Sequence, residues 1–199
     1  MFGLVLIFVI PAVLANPLAP RIECPKFTPV EDFDIPQYLG RWYDIEHSKW
    51  NFGGEELLCT SPKYGLINAT TVSVENFSLL DSALGLFPVK ATGTASVTDI
   101  PGSLLVDFPY GDSPSPLTPD GYGNYNVLKT DYVTYSCIYD CQPTEDQVYD
   151  GVIAWVVSRT PQLADAARQE CEDVFFSLGV DMSNFIHTYQ GPDCTYPED

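Results

Sequence analysis

Basic residues are scarce in this chain. Nine lysines and arginines stand against 27 acidic residues in 199, for a formal net charge of −18. The nine are scattered, with no basic patch or stripe, which removes nucleic acid and anionic membrane surfaces from the partner classes. The acidity itself reads as solubility. Histidine is scarcer still: there are two, His47 and His187, far apart in sequence. No Ser–His–Asp order stands out and G-x-S-x-G is absent, so hydrolytic catalysis has no candidate residues. Cys137 and Cys141 have a loose metal-like spacing, but no second Cys or His pair accompanies them. No metal site is assigned. Beyond residue 15 no apolar run is long enough to span a bilayer.

What is present begins with MFGLVLIFVIPAVLA, residues 1–15, apolar and uncharged, ending in small residues. This has the form of a secretory signal peptide cleaved after Ala15, which leaves a single domain at 16–199. The run is too short for a membrane anchor, and Pro11 interrupts it. Six cysteines follow: Cys24, Cys59, Cys137, Cys141, Cys171 and Cys194. An even count in a secreted, extracellular chain predicts three disulfides, and counting alone leaves fifteen connectivities open. Asn68-Ala69-Thr70 and Asn76-Phe77-Ser78 are glycosylation sequons, in keeping with secretion.

Residues 16–30 are Pro-rich and read as an extended lead-in. Short β-rich runs then alternate with turn formers, at 42–48, 57–67, 69–77, 87–97, 103–110, 125–141 (two strands about Thr130-Asp131) and 151–159. Strands at this spacing predict a sandwich or a barrel. In the first run, alternation places Trp42, Asp44 and Glu46 on one face and Tyr43, Ile45 and His47 on the other. His47 is therefore expected as a solvated or rim residue. The Pro- and Gly-rich loop at 111–123 fits a lid or binding loop, and equally a surface insertion. From 161 to 179 the period becomes helical. Pro161 suits the first turn, Gly179 the stop, and Leu163, Ala167, Cys171, Val174 and Leu178 form one apolar stripe. A short strand is expected at 185–189. The pattern is all-β, with one helix outside.

Gly40 and Trp42 pose the remaining local question. The glycine suits a tight entry into a strand. The tryptophan is either a core residue under a turn or a plug at one end of a barrel, and its N–H needs a partner if buried.

Gly40-x-Trp42, Thr130-Asp131-Tyr132 and Arg159, which follows a hydrophobic strand and precedes a helix, resemble the three signature motifs of the lipocalin family, in order. The resemblance covers about residues 24–196. YLGRWYDIE and NYNVLKTDYVTYSCIYDC are similar to segments of the apolipoprotein D group, and the tail from Ser158 to Cys194 is similar to the crustacyanin subunits, crustacean carotenoid-binding lipocalins.

The resemblance implies an eight-stranded antiparallel up-and-down β-barrel with a ligand cup and a C-terminal helix packed outside. It implies the pairs Cys24–Cys141, Cys59–Cys194 and Cys137–Cys171. Cys137 and Cys141 face the same side of a strand, so Cys24–Cys137 with Cys141–Cys171 stays open. Trp155 and Tyr125 match pocket-lining positions, as do Tyr64 and Phe108. An arginine that some relatives place at the pocket has no match in ENFSLLDSALG. Gly40, Trp42, Thr130, Asp131, Tyr132 and Arg159 are assigned to the scaffold, with the arginine stacked on the indole at the closed end.

The function so implied is secreted carriage of a small hydrophobic ligand, with no cofactor required. A carotenoid such as astaxanthin is favoured; biliverdin, a sterol, a retinoid or a fatty acid is the alternative. A rod-like carotenoid would outgrow one cup and favour a homo- or heterodimer with another lipocalin. A few lipocalins are isomerases acting through a free cysteine, but here every cysteine has an expected partner, and a disulfide sulfur is no thiolate nucleophile. No catalytic residue is therefore assigned. An interaction protein that sequesters a partner's lipid is the third class.

Overall fold

The computed structural model describes residues 24–49, 56–109, 117–141 and 152–198. The expected signal peptide and most of the lead-in lie outside these residues, as does the first half of the 111–123 loop.

The strand that begins at Gly40 is broken at Trp42 into Gly40–Arg41 (β1) and Tyr43–His47 (β2). The strands that follow are Leu57–Asn68 (β3), Thr71–Ser82 (β4), Gly85–Val97 (β5), Ser103–Asp107 (β6), Tyr125–Thr130 (β7), Tyr135–Cys141 (β8) and Val152–Ser158 (β9). β1 pairs with β3, Gly40 lying opposite Tyr64. β2 pairs instead with β9, Tyr43 lying opposite Ser158. The broken strand thus joins both edges of the antiparallel array β3 to β9 and closes it into a barrel. A last short strand, Ile186–His187 (β10), adds to the outer side of β2. The array has ten hydrogen-bonded strands where eight were expected. The excess is the break at Trp42 and the short β10, while the barrel wall keeps its eight-strand course.

Alternation sorts the side chains into two cores. Tyr64, Val74, Leu104, Val127, Ile138 and Val157 face the barrel interior with Trp42. Cys137, Tyr139, Val156 and the helix residues Cys171 and Phe175 form a second core between barrel and helix. That helix, Asp165–Ser177 (α2), starts later than the periodicity suggests. The Thr160 hydroxyl donates to the Gln162 carbonyl at 2.6 Å and holds this stretch in a bend. At the other end Gly179 has φ +76. Its N–H and that of Val180 return to the Phe176 and Phe175 carbonyls, each at 3.0 Å, a left-handed helix stop. Among the described residues no helix is long and apolar enough to cross a membrane.

The cysteines pair as Cys24–Cys141, Cys59–Cys194 and Cys137–Cys171, with Cα separations of 5.7, 5.5 and 5.3 Å. The alternative pairing is not formed. Cys59 is one of two non-glycine residues at positive φ among the described residues, +56. It lies where the β3–β4 register slips between Leu58 and Ser61, a bulge beside the disulfide.

One end of the barrel is shut. The Arg159 guanidinium lies 3.8 Å over the Trp42 ring. Its nitrogens donate to the carbonyls of Tyr132, Arg41 and Gln37 at 3.0, 2.9 and 2.8 Å. The Trp42 N–H donates to the Tyr38 carbonyl at 2.9 Å, at the end of a one-turn helix, Ile35–Tyr38 (α1). Gly40 has φ +91, and a Cβ there would meet Arg159 Nη1 at 3.4 Å. The turn after β7 is held by Asp131, whose Oδ1 accepts from the N–H groups of Val133, Thr134 and Tyr135. Those bonds favour the carboxylate and lower its pKa against a desolvation that pulls the other way.

Arg159→Met should therefore lower unfolding free energy by about 2–4 kcal/mol, from one stacked cation and its charge-assisted hydrogen bonds. Urea melts should show the loss, while affinity for an apolar probe changes less than about twofold. Unchanged stability with lost binding would contradict a scaffold role.

Candidate ligand-binding site

Above the Trp42 plug stands a layer of phenols. β1–β3 pairing places Tyr64 at the start of the barrel wall, α1 presents Tyr38, and β7 presents Tyr125. The Tyr125 hydroxyl is 2.9 Å from those of both Tyr38 and Tyr64, and Tyr38 is 2.9 Å from Ser136 Oγ. Four hydroxyls thus form one chain across the barrel. Burial disfavours the phenolate and pushes Tyr38 up to about 12. Desolvation, reinforced by the neighbouring phenols, raises Tyr64 and Tyr125 as well. The layer is a neutral floor of donors and acceptors. Beneath it the packing leaves a cavity of about 10 Å³ among Phe33, Leu39, Val72 and Leu104. That is no more than one water could fill.

Trp155 stands over this floor, its ring stacked with Tyr125 at 6.3 Å between centroids. β9 places it opposite Ile138 on one side and His47 on the other, both turned inward. Of the four expected pocket residues, Tyr64 and Tyr125 are joined by a hydrogen bond, and Trp155 adjoins Tyr125. Phe108 follows β6 and packs at the edge of the interior cluster, with no polar contact to the other three. Tyr38 and Ser136 complete the floor and were not anticipated. Tyr38 sits in the short helix before Gly40, and Ser136 has no local signal beyond its even spacing from Ile138.

The first strand departs from its expected alternation. β2 and β9 pair Asp44 with Val157 but Glu46 with Val156, so Ile45 is an extra, bulged residue. Adjacent residues of β9 face opposite sides, so Asp44 turns inward and Glu46 outward. Glu46 meets Arg168 of α2 through both oxygens, at 2.5 and 2.9 Å. His47, expected at the rim or in solvent, is instead 3% exposed and turned inward. Asn68 is exposed, its side chain capping the turn at Thr70. Asn76, by contrast, pairs with Pro62 and Ala91 on the inward register of β4, and its Oδ1 is out of solvent.

Two outcomes follow from this geometry. The phenol floor binds its protons more tightly folded than unfolded, so its stabilising contribution is intact below the ordinary tyrosine range and is lost as pH rises through the folded pKa values. Spectrophotometric titration should show phenols that stay protonated past pH 10 and ionise near about pH 12, with unfolding. For the sequons, Asn68→Gln should abolish a glycosidase-sensitive mass shift in protein from a eukaryotic host, and Asn76→Gln should leave it in place.

Residues 33–190 match the model of the lipocalin-like domain. Apolipoprotein D of Mus musculus is 30% identical over 168 residues, covering 84% of this chain and 82% of that protein. The Crustacyanin-A1 subunit of Homarus gammarus is 36% identical over 70 residues, 35% of this chain and 38% of that one. Among solved structures, lobster apocrustacyanin A1 superposes with a TM-score of 0.64 at 21% identity, covering 88% of this chain and 94% of that one. Its likeness is one of fold. A barrel shut by Arg159 on Trp42, with the family model spanning most of its length, places this chain in the lipocalin family.

Proposed function

We propose that this lipocalin is a secreted carrier of one small apolar molecule, held in the barrel above the phenol floor. The observation that carries the reading is the layer of Tyr64, Tyr125 and Trp155 lying inward over a sealed base. Rings there supply apolar area, and the hydroxyl chain supplies a few fixed polar groups, the usual composition of a small-molecule site. Trp155, Tyr125, Tyr64 and Phe108 are the proposed contacts. The three disulfides suit an oxidising, extracellular compartment.

A carotenoid such as astaxanthin is the favoured ligand, from the similarity of the tail to crustacyanin subunits. A bilin, sterol, retinoid or fatty acid is the alternative. A carotenoid longer than one barrel would be shared with a second lipocalin. All six cysteines are in disulfides, which leaves thiolate catalysis without a nucleophile.

Protein purified from its source should carry an extra mass in native spectra that organic extraction releases. A pigment would add a visible absorption band, and a colourless lipid would not. Trp155→Ala and Tyr125→Ala should each weaken rebinding about tenfold or more. Source protein with no extractable apolar molecule would contradict carriage.

A further inference from the structure

The bulge at Ile45 brings His47 onto the inward face that Asp44 already shares with Trp42, two polar side chains that the phenol floor does not use. Asp44 and His47 are each 3% exposed. His47 Nδ1 is 2.8 Å from Asp44 Oδ2. The Thr188 hydroxyl, just past β10, donates to the same oxygen at 3.1 Å. This arrangement assigns the proton of the ring to Nδ1 and leaves Nε2 as an acceptor. Nε2 and the other carboxylate oxygen, Oδ1, are both buried and have no hydrogen-bond partner among the described residues. Asn76 Oδ1, on the inward register of β4, is a third such acceptor. Buried polar atoms left without a partner are rare in folded proteins and disfavour the state that leaves them so. All three need a donor, and none of the described residues supplies one.

The charge inventory points the same way. Of the basic residues among those described, Arg159 alone belongs to the interior, and its donors are taken by carbonyls below Trp42. Lys63 and Lys90 lie on the outward register with Glu75, and Lys129 meets Glu170 on α2. Arg168 is on α2, Arg41 reaches the Pro197 carbonyl, and Lys26 and Lys49 are exposed. A carboxylate-ended ligand would meet like charge here and no cation, a costly state in a poorly solvated interior.

We propose that Asp44 and His47 form an end-group site that accepts the hydroxyl of an uncharged apolar ligand, and that the interior rejects ligands ending in a carboxylate. A bulge that re-aims a side chain into a binding site is a recurrent use of this irregularity. The site rests on the reading of the barrel as a carrier, and it selects hydroxylated, neutral molecules from the classes named above.

Retinol and retinoic acid share one polyene body and differ at the end group, so they serve as the probes. Titrations of the folded protein, followed by quenching of tryptophan fluorescence at neutral pH, should show retinol binding about tenfold or more tightly than retinoic acid. Asp44→Asn removes the charge but keeps the shape, and should bring the two probes within about threefold of each other. His47→Gln should weaken retinol and leave retinoic acid little changed, which keeps the test alive if one variant fails to fold by circular dichroism. Equal binding of both probes by the unaltered protein, or a preference that neither folded variant moves, overturns the end-group site and leaves carriage standing. Quenching by neither probe overturns both.

Discussion

One guanidinium holds the closed end of this barrel together. Arg159 stacks on Trp42 and reaches three carbonyls, on the segment before β1, on β1 itself and on the turn after β7. The first two are far in sequence from the third, and no sheet pairing joins all of them. A planar, fixed cation with several donors suits the task where a lysine would not, because each donor meets a separate carbonyl while the face covers the ring. With this end sealed, the interior has a floor, and the phenols of Tyr38, Tyr64 and Tyr125 can be desolvated above it.

The other constraint is the seam. The first strand changes partners at Trp42, and its upper half leaves β3 with unpaired backbone. The chain's tail fills that gap. The Thr188 N–H donates to the Ile45 carbonyl at 3.0 Å, and the Gln190 amide donates to the carbonyls of Asp44 and Thr60, both at 2.8 Å. The Cys59–Cys194 disulfide ties the tail to β3 just beyond. Backbone groups that would otherwise face the interior unpaired are satisfied in this way. The same tail brings Thr188 to Asp44, so closing the wall also sets the orientation of the His47 ring.

The interior is therefore apolar in bulk and specific in detail. Its tyrosines are held neutral by burial, so they act as donors and acceptors rather than charges. Its carboxylate and imidazole lie on one wall, at the bulge. Polar groups so placed orient a ligand whose affinity comes from the rings around it.

Much of this was legible in the residues. Gly40, Trp42 and Arg159 could be placed at the closed end through the resemblance of their motifs to the lipocalin signatures, whereas Gly40 and Trp42 alone left a core residue or a plug open. The strand spacing gave a sandwich or a barrel and the helical stripe from Leu163 to Leu178 gave the outer helix, since both depend on local periodicity; the choice of a barrel came with the resemblance. Tyr64, Tyr125 and Trp155 could be named as candidates, but their hydrogen bond and stack are contacts between strands distant in the chain. Asp44 and His47 could not be read at all. Strict alternation puts them on opposite faces, and a one-residue bulge, set by how β2 registers on β9, turns His47 onto the inward face of Asp44. The sequence by itself determined which side chains alternate and where strands end, because those are local preferences. Only the tertiary structure decided which of them meet, because the break at Trp42, the bulge at Ile45 and the return of the tail are all settled by pairing across the closed barrel.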